Sequence, residues 1–334
     1  MNYPLISIII PTYNYAQFIS EAIKSILYQD YPKEKIEIIV VDDGSTDNTK
    51  EVLSSFIEMG LLQYFFQQNE GKASATYKAI QKANGKYIFN LDADDYFLPG
   101  KIKQTVDVFE LDETIVHVAS PAKQVQPDNS FRIEPIPANL LNKDLNGKIL
   151  LSHFIQQNML YGGGSTYAAR ATTLKQISIP AAVDMYIDEF LVLAVLPYGN
   201  SFFIPGCLSV WRGHNHNYSV NTASVEIQLA KAKRLLKSSG AVLEYLREQN
   251  FDPALVNIYK LKDITRRIAY KESFHHKTLI DIIGYANEVF LNIRPARNII
   301  QNYHVMNRLI PTSLFNFLKK KFPKAPDKYH KENE

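Results

Sequence analysis

The chain has 334 residues, 46% hydrophobic and 21% charged, enough apolar material to pack one large domain or two ordinary ones. A formal net charge of +3 is too small to argue for a nucleic-acid partner, and none is expected. With Cys207 as the single cysteine, no basic-then-apolar leader and no run of roughly 18–20 apolar residues, the chain reads as soluble, without internal disulfides, in a reducing cytoplasmic compartment.

Residues 5–10 are almost continuously apolar and β-branched, as in a parallel strand covered on both faces. The turn Pro11-Thr12-Tyr13-Asn14 follows, then a helical stripe of Ile19, Ala22, Ile23, Ile26 and Leu27. Residues 36–41 read as a second strand. After it comes Gly44-Ser45-Thr46-Asp47, where Thr46 or Asp47 can cap a helix with the stripe Val52, Leu53, Phe56 and Ile57. A third strand fits 61–66, a third helix 73–83 and a fourth strand 87–91. Pro99 suits a first helical position, and Lys101–Leu111 reads as that helix.

Residues 120–145 are rich in Pro, Asn and Asp and are expected to hold loops and short strands. Gly162-Gly163-Gly164-Ser165 breaks the pattern before 166–169; it serves either a close backbone approach to a ligand or a plain loop. A helix is expected over 184–196, with Ile187, Leu191, Ala194 and Val195 on its apolar side. Beyond Thr222 the sequence changes to basic amphipathic helices over 225–236 and 241–248, which places a soft boundary between residues 1–222 and 223–334.

Strands alternating with helices imply right-handed βαβ units on a mostly parallel α/β sheet. Ligands on such sheets bind beyond the carboxyl ends of the strands. Pro11–Asn14, Asp42-Asp43-Gly44 and Asp92-Ala93-Asp94-Asp95 all fall at such ends. Three carboxylates within four residues disfavour one another's ionised form, and a hard cation with oxygen ligands relieves the repulsion. A metal-assisted site for a phosphorylated substrate is the chemistry this pattern suits.

Ile8-Ile9-Ile10-Pro11-Thr12-Tyr13-Asn14, Val40-Val41-Asp42-Asp43-Gly44-Ser45, Leu91-Asp92-Ala93-Asp94-Asp95 and Trp211-Arg212-Gly213-His214 together resemble the family 2 glycosyltransferases, over roughly residues 4–220. The resemblance implies a GT-A-type Rossmann-like fold with a helical C-terminal extension. It further implies inverting transfer from a nucleotide sugar, with UDP as the expected nucleotide, to a saccharide or lipid-linked acceptor in bacterial surface polysaccharide synthesis. It places Pro11 and Tyr13 against the nucleotide, Asp43 on a pyrimidine ring with Asp42 in support, and Asp92 near the ribose. Asp94 becomes the leading ligand for Mn²⁺ or Mg²⁺, Asp95 shares either task, and His214 touches the metal or the diphosphate. Arg212 is placed to meet a phosphate or to form a surface ion pair.

Inversion needs a base opposite the leaving diphosphate. The segment Ile187-Asp188-Glu189-Phe190 aligns with the family's acidic base segment, although Ile187 stands where relatives have Glu. Asp188 is the expected base, with Asp184, one turn earlier on the same helical face, and Glu189 as alternatives. Thr76-Tyr77 stands where many relatives carry Arg-Asn, so either Lys72 or Lys78 helps hold the donor instead, or the donor differs. A catalytically silent binding subunit is the non-enzymatic rival. A sugar-phosphate nucleotidyltransferase would need a glycine-rich basic loop after the first strand, and a dehydrogenase a Gly-x-Gly-x-x-Gly, and neither follows Ile10.

No motif marks residues 223–334. Leu314-Phe315-Asn316-Phe317-Leu318 followed by Lys319-Lys320-Lys321 combines apolar bulk with positive charge, which suits peripheral contact with an anionic membrane, an oligomer contact, or a core helix with a basic tail. Residues from 323 onward are expected to fray.

Overall fold

The computed structural model describes residues 3–214, 224–275 and 277–291. They form two compact units, one running to Gln249, the other starting at Asn250 and including Gln156–Asn158. The chain opens with β1 (Ile6–Thr12), α1 (Ala16–Leu27), β2 (Ile36–Asp42), α2 (Thr49–Glu58), β3 (Gln63–Phe66) and α3 (Lys72–Lys82). It continues through β4 (Tyr87–Asn90), β5 (Tyr96–Phe97), α4 (Lys101–Leu111), β6 (Ile115–Ala119), β7 (Ala122–Val125), β8 (Phe131–Ile133) and β9 (Asp144–Asn146). Next come α5 (Gly147–Gln157), β10 (Ala168–Arg170), α6 (Ala171–Leu174), α7 (Ile187–Val195), β11 (Asn200–Phe203), β12 (Ser209–Arg212) and α8 (Val225–Glu248). The second unit holds α9 (Pro253–Phe274) and α10 (Leu279–Leu291), where Thr265 Oγ1 and Tyr285 Oη share a buried hydrogen bond of 3.0 Å.

The main sheet has the order β3-β2-β1-β4-β10-β6-β11-β9, and a smaller sheet the order β5-β12-β7-β8. All seven residues of β1 are buried, which explains its nearly continuous apolar run. Helix α1 covers one face of the sheet with Ile19, Ala22, Ile23 and Ile26, and these join Ile8, Ile10, Ile38, Val40 and Phe89 in one core. Each such aliphatic side chain contributes roughly 1.5–3 kcal/mol by leaving water. Strands β2 and β4 run parallel to β1 on its two sides, and both pair from Ile6 onward. The carboxyl ends of the three central strands therefore open on one side, and the loops that follow them meet there.

The parallel pattern holds through β3-β2-β1-β4 and then breaks: β10 is antiparallel to both β4 and β6. The whole is a mixed α/β sheet flanked by helices. Some local expectations need correction. Pro99 precedes the helix rather than opening it, because Gly100 turns the chain with φ 84° and α4 starts at Lys101. The segment expected as one helix over 184–196 is a 3₁₀ stretch, Ala181–Tyr186, followed by α7, so Asp184 and Asp188 do not share a helical face. The two helices expected over 225–236 and 241–248 are one, since Gly240 lies inside α8 without interrupting it. Asp47 accepts from the backbone N–H of Thr49, but α2 has no side-chain bond from its own cap residue, Asn48. The boundary expected at 222/223, the Leu314–Lys321 pattern and the fraying tail all lie outside the described residues.

Lys101 is fully buried at the start of α4, where its Nζ donates to the Thr166 carbonyl at 2.7 Å. Among the described residues no carboxylate pairs with it, and burial lowers its pKa from 10.5 to about 7. Between those values the unfolded chain holds more protons at this site than the folded one, so stability rises as pH rises across the window. Lys101→Met is expected to flatten that rise, as measured by urea denaturation at pH 7, 8.5 and 10. An unchanged slope would refute the buried-cation account.

Candidate donor and metal site

Three short loops build one side of the site. Asn14, in the left-handed region at φ 59°, accepts from Thr46 N at 2.7 Å, and its own N–H donates to Ser45 Oγ at 2.9 Å. Asp42 accepts from Tyr64 Oη at 2.7 Å and from Ser45 N at 2.8 Å. Asp43, almost fully buried, accepts from Gln67 Nε2 at 2.8 Å, Glu70 N at 2.9 Å and Gly71 N at 2.8 Å. Pro11 is buried near the end of β1, whereas the ring of Tyr13 is 43% exposed beside these loops.

The loop entering α3 is fixed at both ends. Asp43 holds Glu70 and Gly71, while Asp184 Oδ1 accepts from Lys72 N at 2.8 Å. Arg234 Nε donates to Asp184 Oδ2 at 2.8 Å, so α8 braces this contact from behind. Gly71 has φ +97°, and a Cβ there would sit 2.8 Å from Asp184 Oδ1. Gly71→Ala is accordingly expected to shift the loop and Lys72 together, at a cost of roughly 1–3 kcal/mol for the backbone conformation. Thermal unfolding and nucleotide titration of the same variant would show it; unchanged values in both would refute the constraint.

The acidic cluster lies beyond β4. One carboxylate oxygen from each of Asp92, Asp94 and Asp95 can be chosen so that all three lie within 4.8 Å of one another. Burial raises the pKa of Asp94 and Asp95 above the usual carboxylate range, and the neighbouring acids add to the effect. Asp95 is the most enclosed, with Ser165 Oγ donating to it at 2.5 Å and Arg212 N at 2.9 Å. Asp94 Oδ2 lies 3.1 Å from His214 Nε2, and the His214 ring stacks on Phe18 with centroids 4.2 Å apart. Arg212 pairs with Glu21 at 2.7 Å. A shared, oxygen-rich and charge-strained donor set fits a hard divalent cation.

Lys72 links this cluster to the other wall. Its Nζ is 3.0 Å from Asp92 and 3.5 Å from Asp188. Burial works against its charge, but Asp188 and Asp92 more than offset that and raise its pKa above the usual lysine value. Asp188, in the first turn of α7, is open to a cavity yet surrounded by protein. Burial raises its carboxyl above the ordinary range, with Lys72 opposing and Asp92 adding to the rise. Gly163 packs against Asp188 so closely that a Cβ would lie 3.3 Å from the Asp188 Cβ. The cavity, of about 420 Å³, is lined by Asp92, Asp94, Asp95, Asp188, Gly163 and Trp211 among others. That volume suits a small ligand.

Of the residues singled out in the sequence, Lys72, Asp92, Asp94, Asp95, Asp188 and His214 come together around or beside this cavity. Pro11, Tyr13, Asp42 and Asp43 lie on the neighbouring loops, and Glu189 sits beside Asp188 in the first turn of α7. Lys78 is turned elsewhere, with its Nζ donating to the Phe66 carbonyl at 3.2 Å. Gln67 and Arg234 carry no signal in the sequence, and Ser165 stands out there only as the end of a glycine-rich turn. Each acts by holding a carboxylate across a long stretch of chain, which no local pattern reveals.

A family model described as "Glycosyl transferase family 2" matches residues 7–175 of the 334. The chain belongs to that family. An uncharacterised glycosyltransferase of Nostoc sp. is 39% identical over 112 residues, 33% of this chain and 34% of that protein. The chondroitin synthase of Pasteurella multocida is 37% identical over 129 residues, 38% of this chain and 13% of its own length. The matched segment thus spans about a third of the first of these relatives and far less of the second. Among solved structures, S. aureus TarS 1-349 in complex with UDP-GlcNAc superposes with a TM-score of 0.60 at 18% identity, covering 95% of this chain and 88% of that 1-349 chain. The mannosyltransferase PcManGT from Pyrobaculum calidifontis, in complex with GDP-Man and Mn²⁺, gives 0.54 at 19% identity, covering 97% and 89%. These likenesses establish the GT-A-type fold of this family 2 chain. Among the described residues, no helix is long and apolar enough to cross a membrane.

Proposed function

We propose that this family 2 chain is an inverting glycosyltransferase that moves a sugar from a nucleoside diphosphate donor to a hydroxyl of a saccharide or lipid-linked acceptor. The observation that carries this is the arrangement of one cavity: the Asp92–Asp95 cluster on one wall, Asp188 on another, and Lys72 within 3.5 Å of both Asp92 and Asp188. Family membership, and structural neighbours solved in complex with UDP-GlcNAc or GDP-Man, support the same assignment. UDP is the nucleotide we assign, with bacterial surface polysaccharide assembly as the setting.

Tyr13 offers its ring face to the base. Asp43 fixes the loop beneath the nucleotide and keeps lone-pair capacity on Oδ2, which accepts a single bond, for a pyrimidine N–H. Asp42 and Pro11 shape that pocket, and Asp92 faces the ribose. Asp94 and His214 would hold Mn²⁺ or Mg²⁺, which supplies Lewis-acid stabilisation of the departing diphosphate. Asp95 orients the cluster from behind, since both of its oxygens already accept hydrogen bonds. Lys72 holds negative charge in place between donor and base. Asp188 accepts the proton of the attacking acceptor hydroxyl on the face opposite the leaving group, which yields inversion in a single displacement.

Incubating the protein with UDP- and GDP-sugars, with and without Mn²⁺ or Mg²⁺, tests this through nucleotide release and calorimetric binding of the free nucleotides. Metal-dependent nucleotide binding with release stimulated by an acceptor is expected. No nucleotide binding under any metal condition would overturn the proposal, and binding without turnover across a broad acceptor set would favour a silent binding subunit.

A further inference from the structure

One wall of the cavity has no task in the donor chemistry. It is built by the β7–β8 hairpin of the smaller sheet, with Gln124 on β7, Gln126 just after it and Glu134 just after β8. Glu134 is unusual: only 8% of it is exposed, yet it lines the cavity. Its Oε2 accepts from Ala122 N at 3.2 Å, and its own N–H donates to the Ala122 carbonyl at 2.9 Å. Among the described residues Oε1 accepts no hydrogen bond, and no cation pairs with the carboxylate. Burial accordingly lifts its pKa from 4.5 to about 7.

A nearly buried carboxylate with one oxygen anchored and one unmatched is costly unless a ligand completes it. The neighbouring glutamines supply the complementary groups. Arg132 Nε donates to Gln124 Oε1 at 2.5 Å, which fixes that side chain and leaves its amide N–H₂ to donate. Gln126 lies against Gly213, with its Oε1 3.2 Å from where a Cβ would sit. Trp211 adds an apolar ring to the same cavity. Acceptor and donor amides with a carboxylate beside an aromatic face match the hydroxyls and C–H face of a sugar ring.

The charge balance narrows the choice further. Asp92, Asp94, Asp95, Asp188 and Glu134 all line the cavity; among the described residues the cations at it are Arg212, paired with Glu21, and Lys72, held by Asp92 and Asp188. An anionic group at this wall would lack a partner and face like charge.

We propose that Glu134, Gln124 and Gln126 form the acceptor-reading wall of the site and select an uncharged sugar unit, with Glu134 accepting from a hydroxyl and the glutamines completing the contact. This rests on the glycosyltransferase activity proposed above. The three residues are specificity determinants; Asp188 does the proton chemistry.

Saturation-transfer NMR tests it on the full chain with Mn²⁺ and saturating UDP, or GDP where that is the nucleotide bound. The probes are the methyl glycosides of glucose, galactose, N-acetylglucosamine and glucuronic acid. At least one neutral glycoside is expected to bind and the glucuronide not to. Measured above pH 7, where the carboxylate is ionised, Glu134→Gln is expected to weaken the neutral glycoside by roughly tenfold, the loss of one charge-assisted hydrogen bond, with nucleotide affinity unchanged by calorimetry. Gln126→Ala is a second, less buried substitution expected to weaken the glycoside while leaving the nucleotide alone, and it decides the matter if Glu134→Gln fails to fold. Nucleotide binding with no neutral glycoside bound, with the glucuronide bound equally well, or with glycoside affinity unchanged by the substitutions would overturn this proposal alone. Absence of nucleotide binding would overturn the activity on which it rests.

Discussion

Asp188→Asn is expected to lower glycosyl transfer by about 10²–10⁴-fold while leaving nucleotide affinity nearly unchanged. The amide keeps the shape of the carboxylate but cannot accept the acceptor's proton. Lys72 retains Asp92 at 3.0 Å, so the donor side keeps its principal ion pair. The comparison with Asp184 is the discriminating part. Asp184 already receives Lys72 N on one oxygen and the Arg234 guanidinium on the other, so it is a brace rather than a base. Asp184→Asn should therefore weaken nucleotide binding through the loop at Gly71 and Lys72, with a smaller change in the rate at saturation. Steady-state kinetics at saturating donor separate the two. Wild-type turnover in Asp188→Asn, or a greater rate loss in Asp184→Asn or Glu189→Gln, would move the base elsewhere.

Asp94→Ala should abolish the metal dependence of donor binding, with at least about a 100-fold loss of Mn²⁺ affinity, beyond what disturbing an outer partner of a ligand costs. Asp94 sits between the acid cluster and His214, and the stacking of that ring on Phe18 fixes the approach of Nε2. Removing the carboxylate takes away an oxygen donor and also the acceptor that orients the imidazole. Asp95→Ala should behave differently. It frees Ser165 and the Arg212 backbone, and the expected result is loss of stability together with a milder loss of metal. Mn²⁺ titration followed by electron paramagnetic resonance, with thermal unfolding alongside, resolves the pair. Equal Mn²⁺ affinity in Asp94→Ala and wild type would remove Asp94 from the metal shell.

The fold was legible where the physics is local. A nearly continuous β-branched run such as Ile6–Ile10, broken only at Ser7, is best satisfied inside a sheet covered on both faces, and the α1 stripe matched its buried face up to Ile26. Lys101–Leu111 matched to the residue because Gly100 marks its start so sharply. The change from parallel to antiparallel at β10 was not legible, since three residues of Ala-Ala-Arg carry no directional signal. The break at Tyr186 was hidden by an apolar pattern that continues smoothly from Val183 into α7.

The same division applies to the site. Asp42, Asp43 and Asp92–Asp95 stand next to strands whose ends could be placed from sequence, so their convergence could be inferred. Glu134 follows a short exposed strand in a segment that reads as loop, and only the pairing of β7 with β12 brings it to the cavity. Asp184 could be named as an acid near the base, but its partner Arg234 lies 50 residues away on a helix with no motif.

Strand β10 also has a consequence for how the chain is made. In the ladder it joins β3-β2-β1-β4 to β6-β11-β9, and the strands of the two halves are hydrogen-bonded to each other only through it. Until Ala168–Arg170 has left the ribosome, β4 and β6 each present an unpaired edge able to recruit a stray strand. Fragments ending before that point, even ones holding the entire acidic cluster, should aggregate, whereas synthesis past it closes the seam. Three unremarkable residues thus close the seam between the halves, while the outer edge of β6 waits for β11.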